Sequence, residues 1–118
     1  MLTFYEYPKC STCRSAKKEL EELGVAFVAI DIKANPPQVS QLQAWLANQD
    51  FPVKKLFNTS GNSYRQLGLK DRFDSLSQEE LLAHLAEDGM LIKRPILADG
   101  DQILQVGYRT PYSNLTLK

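Results

Sequence analysis

Histidine, tryptophan and cysteine are nearly missing from this chain. Its 118 residues include one His (His84), one Trp (Trp45) and two Cys, Cys10 and Cys13. Two Cys and one His cannot complete a four-ligand zinc site without borrowed carboxylates or a second subunit, so no metal site is expected. An excess of charge of either sign is missing too: 14 Lys and Arg balance 14 Asp and Glu. Without a basic excess, direct nucleic-acid binding is not expected, and without an acidic one neither is a disordered, solvating chain. No uncharged run approaches the roughly 18 apolar residues of a membrane helix, so no membrane partner is expected. Met1-Leu2-Thr3-Phe4-Tyr5-Glu6 lacks the basic start and small-residue cleavage site of a secretory signal. The expected compartment is therefore the reducing cytoplasm, where permanent disulfides are rare. The length fits one domain over residues 1–118, and a hydrophobic content of 43% is enough for a real core.

What the sequence does contain is a succession of short elements. Leu2 to Tyr7 is aromatic and β-prone and stops at Pro8, which predicts a strand and a tight loop. From Ser11 to Leu23, Cys13, Ala16, Leu20 and Leu23 recur at helical spacing, and Gly24 stands where a helix ends. Val25 to Ile32 is a near-continuous apolar run, the pattern of a buried strand. Asn35-Pro36-Pro37 opens a second helix, with Asn35 as its cap and Val39, Leu42, Trp45 and Leu46 as its apolar face. Asn58 to Ser63 is a polar loop ahead of a short helix from Tyr64 to Leu67. Ser77 and Glu80 have the spacing of a capping box, opening a helix that runs to Gly89. Ile96-Leu97 and Ile103 to Val106 flank Asp99-Gly100-Asp101, a hairpin signal. The stretch from Gly107 to Lys118 carries no clear pattern. The order is β-α-β, a helical middle, then a hairpin, which describes an α/β fold with a mixed sheet. A C-x-x-C at its first strand-to-helix turn points to a thioredoxin-like version of it.

The chemistry gathers at Cys10-Ser11-Thr12-Cys13. A thiol attacks as thiolate, and a helix N-terminus favours the anion through its free N–H groups and partial positive charge. Cys10 falls just before the predicted helix, with Lys9 and Arg14 nearby. Cys13 falls one turn in, on the stripe of Ala16 and Leu20, and is expected to be buried. Cys10 therefore reads as the exposed nucleophile and Cys13 as the thiol that resolves its adduct. Ser11 and Thr12 offer hydroxyl or backbone donors to a thiolate or an oxyanion in the turn. The competing reading is two inert thiols in a core. Other signals read as structure: His84 as a solvated or capping histidine, Tyr5, Tyr7 and Trp45 as packing, and Lys17-Lys18 and Lys54-Lys55 as solvated charge. Asn58-Thr59-Ser60-Gly61 reads equally well as a substrate-side loop or as a turn with a helix cap.

Two segments, Tyr7-Pro8-Lys9-Cys10-Ser11-Thr12-Cys13-Arg14-Ser15-Ala16-Lys17-Lys18 and Leu91-Ile92-Lys93-Arg94-Pro95-Ile96, together resemble the ArsC/Spx family. That family contains glutaredoxin-linked arsenate reductases and the Spx redox regulators of RNA polymerase. The likeness covers nearly the whole chain and includes Leu104-Gln105-Val106-Gly107-Tyr108. Phe57-Asn58-Thr59-Ser60-Gly61 and Tyr64-Arg65 resemble a small arsenate reductase-like branch. The resemblance implies a thioredoxin-like, four-stranded mixed sheet with a helical subdomain inserted at roughly residues 36–89. It implies that Cys10 is the nucleophile, that Pro95 is cis and faces the turn, and that Arg94 contacts the thiolate or a bound oxyanion. A planar, permanently charged guanidinium suits that last task.

The chain departs from the family at two points. Its arsenate reductases use three arginines around one cysteine and take the second thiol from glutathione. Here Asn58 stands in the place of one arginine, and Arg109 is displaced by two or three residues from the place of another, near Val106-Gly107. A lone arginine makes a weaker oxyanion site. The second thiol is carried within the chain, as in Spx. The expected function is thus a thiol-disulfide oxidoreductase that uses Cys10 and Cys13 on a disulfide or an arsenate-like oxyanion. No prosthetic group is expected, and electrons would come from glutathione, glutaredoxin or thioredoxin. The alternative is an Spx-like regulator whose disulfide state controls binding to the RNA polymerase alpha subunit.

Overall fold

The structure, a computed structural model, describes residues 1–117. The expected β-α-β opening is present as β1 (Leu2–Glu6), α1 (Ser11–Leu23) and β2 (Phe27–Asp31). The middle is helical: α2 (Val39–Asn48), α3 (Asn62–Gln66), α4 (Leu69–Arg72) and α5 (Gln78–Glu87), joined by irregular turns. A hairpin of β3 (Ile96–Asp99) and β4 (Gln102–Val106) follows, and a single turn at Tyr112–Asn114 is the last element among the described residues. The four strands form one mixed sheet in the order β2-β1-β3-β4, with β1 parallel to β2 and antiparallel to β3.

Alternation along the strands divides the core in two. Leu2 and Phe4 of β1 and Leu97 of β3 pack with Ala16 and Leu20 of α1 and with Tyr112 of the tail. Tyr5, Ile96, Ala98 and Ile103 face the other way, into a larger core with Leu42, Trp45, Leu56, Leu82 and Leu85 from the helical middle. Trp45 anchors α2 as expected: its ring meets Tyr5 edge-on at 5.7 Å, and its indole N–H donates to the Gly100 carbonyl at 3.0 Å. Gln49, at the end of α2, bonds both the N–H and the C=O of Ile103, at 2.7 and 2.9 Å. Its amide thereby covers part of the open edge of β4.

Several local signals act as the sequence implies. Gly24 closes α1 in the left-handed region at φ 72°. Ser77 and Glu80 form a reciprocal capping box at 3.0 and 3.1 Å. Two expectations are corrected. The run from Val25 to Ile32 is not a buried strand: β2 lies at the sheet edge, and Val28 is 48% exposed. It pairs only with β1, while α2 docks against β4 at the opposite edge. The second helix does not begin at Asn35 either, since it starts at Val39, with Gln38 before it making no side-chain cap. Residues that precede proline are pushed out of the helical region, so Asn35-Pro36-Pro37 stays outside the helix. The nearby Asp31 carboxylate instead holds the N–H groups of Lys33 and Ala34.

One carboxylate ties residues 108–113 of the tail to α1. Glu19 of α1 accepts from the Tyr108 hydroxyl (2.6 Å) and from the backbone N–H of Tyr112 (2.6 Å) and Ser113 (3.2 Å). These bonds, the Tyr108 hydroxyl first, hold the Glu19 carboxyl below the usual carboxylate range. Among the described residues no helix is long and apolar enough to cross a membrane.

Candidate functional site

The C-x-x-C lies in the turn between β1 and α1. The Cys10 N–H donates to the Tyr7 carbonyl at 2.9 Å, and the Arg14 guanidinium closes the turn onto the Pro8 carbonyl at 3.1 Å. Cys10 is the N-cap of α1, with extended backbone, and its sulfur accepts the Cys13 N–H at 3.3 Å. That is the place a capping oxygen takes at other helix starts. Ser11 and Thr12 are the first two helical residues and are exposed. Neither thiol is in a disulfide: Cys10 is half-buried, and Cys13 has no exposed surface. Burial pushes the Cys13 thiol up to about 12; the neighbouring Cys10 adds to this, while the Tyr7 backbone and the Arg94 charge oppose it.

The second segment approaches from β3. The Arg94–Pro95 bond is cis, Pro95 is buried, and its carbonyl accepts the Gly107 N–H at 2.8 Å. The Arg94 guanidinium lies over the Tyr7 ring at 5.4 Å. It donates to the carbonyls of Met90 and Ile92, both at 3.2 Å, and among the described residues its buried Nε has no partner. Its hydrogen bonds thus go to backbone rather than to either sulfur, and its charge reaches Cys13 through space. Arg94 also lines a cleft of about 270 Å³ with Asn58, Ser60, Gly61, Asn62, Ser63 and Met90. The Asn58 N–H is fixed to the Leu91 carbonyl at 2.8 Å, which brings the polar loop beside Arg94. A methyl at Gly61 would stand 2.7 Å from the Asn58 amide nitrogen, so glycine lets that side chain tuck against the loop. The loop is a turn ahead of α3, whose N-cap Gly61 makes no side-chain cap, and it forms one wall of the cleft.

The ArsC family model matches residues 5–111, from inside β1 to the tail. The chain belongs to the ArsC family. A crystal structure described as that of a possible arsenate reductase from Streptococcus mutans is 59% identical, with a TM-score of 0.93 over 98% of this chain and 97% of the other. A Bacillus subtilis relative, "Uncharacterized protein YusI", is 49% identical over 92% of this chain and 91% of its own length. The global transcriptional regulator Spx of Enterococcus faecalis is 31% identical over 92% of this chain and 80% of its own length. The thioredoxin-like α/β fold of the ArsC family is the fold of this chain.

Within that frame Arg109 is not a second arginine of the Arg94 cleft. It lines a separate cleft of about 370 Å³ with Phe51, Lys55, Lys93 and Val106. Three lysines read as solvated charge have partners or a cleft of their own. Lys17 pairs at 3.0 Å with Glu6, the one buried charged residue of the core strands. Lys54 lies over the Phe73 ring, and Lys55 faces the second cleft. Sequence reasoning also missed Tyr7 as the platform under Arg94. Its one signal was its place two residues before Lys9-Cys10, where a side chain must face either the sheet or the site.

Proposed function

We propose that this ArsC-family chain is a thiol-disulfide oxidoreductase of the reducing cytoplasm that cycles a Cys10–Cys13 disulfide. The supporting observation is the asymmetry of the pair. Cys10 sits half-buried at the helix N-cap, and its sulfur already accepts the Cys13 N–H at 3.3 Å, with Cys13 buried behind it. In the first step the Cys10 thiolate attacks one sulfur of a substrate disulfide. A Cys10–substrate disulfide forms, and the other substrate sulfur leaves as a thiolate and takes a proton. In the second step Cys13 loses its proton and its sulfur attacks the Cys10 sulfur. The substrate thiolate leaves, and the pair has given up two electrons as an internal disulfide. Glutathione, glutaredoxin or thioredoxin returns them, so no prosthetic group is needed. Ser11 and Thr12 offer first-turn N–H groups to the incoming group, Arg94 supplies the positive charge, and Asn58 and Pro95 belong to the substrate side.

The same pair balances arsenate reduction. Cys10 displaces an arsenate oxygen as water, and attack of Cys13 on Cys10 breaks the S–As bond and releases arsenite. A disulfide is the better-supported substrate, because the cleft at Arg94 holds Asn58 and no second arginine. The Spx relative supports a second reading, a redox-sensing regulator whose disulfide state sets its affinity for RNA polymerase.

One experiment separates these. Reduction of bis(2-hydroxyethyl) disulfide and of arsenate is followed by NADPH consumption with glutathione–glutaredoxin or thioredoxin as donor. Disulfide turnover is expected, falling in Cys10→Ser to below about one per cent. The Cys13→Ser protein should accumulate a mixed disulfide at Cys10. No turnover, together with redox-dependent capture of the polymerase alpha subunit, would replace the reductase by the regulator.

A further inference from the structure

The second cleft is unlike the first. Lys55, from the turn at Val53–Leu56, Lys93, just before Arg94, and Arg109, just after β4, come from three separate segments and converge on it. Among the described residues none of the three is in an ion pair or donates a side-chain hydrogen bond, and no carboxylate lines the cleft. In a chain whose charges balance, 14 against 14, this is a local excess of three unpaired cations. Phe51 and Val106, both half-buried, give the cleft an apolar lining. Its position is tied to the segment that carries Arg94 and cis-Pro95. The Lys93 backbone is pinned to the Leu56 carbonyl at 2.8 Å, and Gly107 is bonded to the carbonyl of cis-Pro95. A side chain at Gly107 would meet Lys93 Cε at 3.0 Å, so the bare glycine leaves room for the lysine to lie across the end of β4. Lys93 and Arg94 are adjacent, and they serve different clefts.

We propose that the Lys55–Lys93–Arg109 cleft docks an acidic peptide segment of the protein whose disulfide the Cys10–Cys13 pair serves. An inorganic anion would leave the Phe51 and Val106 surface without a role. A peptide with carboxylates on either side of one apolar side chain answers both the charge and the lining. This names the partner's chemistry for the reading above and rests on that reading for the disulfide alone; the docking itself needs no electron transfer.

The test uses the reduced wild-type protein and the probe peptide acetyl-Asp-Glu-Leu-Asp-Glu-amide, followed by amide NMR shifts. Shifts are expected to gather at Phe51, Lys55, Lys93, Val106, Gly107 and Arg109, and the matching Lys-Arg-Leu-Lys-Arg peptide should give none. Affinity should weaken by about tenfold or more in the Lys55→Glu/Lys93→Glu/Arg109→Glu protein and on raising the salt to screen the charges. Should that variant fail to fold, Lys55→Gln/Arg109→Gln, which changes two exposed side chains, supplies the reading with a smaller loss. The proposal is overturned if no shifts occur, if they gather at the Asn58–Arg94 cleft, or if the variants bind as tightly as the wild type. It is equally overturned if inorganic phosphate or citrate shifts the cleft residues and the peptide does not. Failure here leaves the Cys10–Cys13 couple, measured without peptide, untouched, so the two readings fail separately.

Discussion

Cys10 and Cys13, three residues apart, occupy opposite environments, one capping a helix and one buried in the chain's interior. That contrast was legible because it is local: a strand end, a helix stripe and two cysteines fix it. The setting of Arg94 was not. Its donors go to Met90 and Ile92 carbonyls, which belong to an irregular segment with no periodicity to read, and its platform, Tyr7, comes from the far side of the chain. Tyr112 shows the same blindness to distance. It is fully buried, and among the described residues its hydroxyl has no partner. Burial first, then the Tyr108, Cys13 and Glu19 charges, push its ionisation up. A buried hydroxyl without a partner costs stability rather than supplying it. Tyr112→Phe is therefore expected to be neutral or to stabilise by up to about 1 kcal/mol in urea denaturation, and a loss of stability would show that the hydroxyl is bonded in solution.

At the scale of elements, the start of α5 and the end of α1 were readable, while the cap of α2 and the exposure of β2 were not. The Ser77–Glu80 box and the Gly24 stop are carried by residue types at fixed spacing, and both are present. Whether an apolar run becomes a central or an edge strand depends on which strands pair with it. The Val25–Ile32 run says nothing of that, and β2 took the edge. Gly89 marks a contact between elements that is silent in the sequence. A methyl there would lie 1.8 Å from the Ile32 carbonyl oxygen, so the end of the helical middle must approach the chain leaving β2 through bare backbone. Gly89→Ala is expected to cost at least about 2 kcal/mol, because backbone on both sides must move. An unfolding midpoint close to that of the wild type would mean that the two segments are not in contact.

Over the whole molecule, Glu19 joins α1 to the tail that completes the core behind Cys13. Its carboxyl is held below the usual range, first by the Tyr108 hydroxyl. The stabilisation is therefore present above the unfolded value of ~4.3 and lost as pH falls through the lowered folded value. Tyr108 is pushed the other way, up to about 12 by the same bond, so its part holds below ~10 and is lost as pH rises through that folded value. The difference in urea midpoint between wild type and Glu19→Gln should thus be largest near neutral pH and shrink between about pH 5 and 3; a pH-independent difference would place the anchoring elsewhere. The central claim concerns the thiol pair, and it is tested most directly by a redox titration of the wild-type chain in glutathione buffers, with thiol trapping and mass spectrometry. A reversible two-electron transition between Cys10 and Cys13 is expected at about −200 to −300 mV, and Cys13→Ser should show none. Two thiols that stay free at the oxidising end of the titration would contradict the account and make the pair structural.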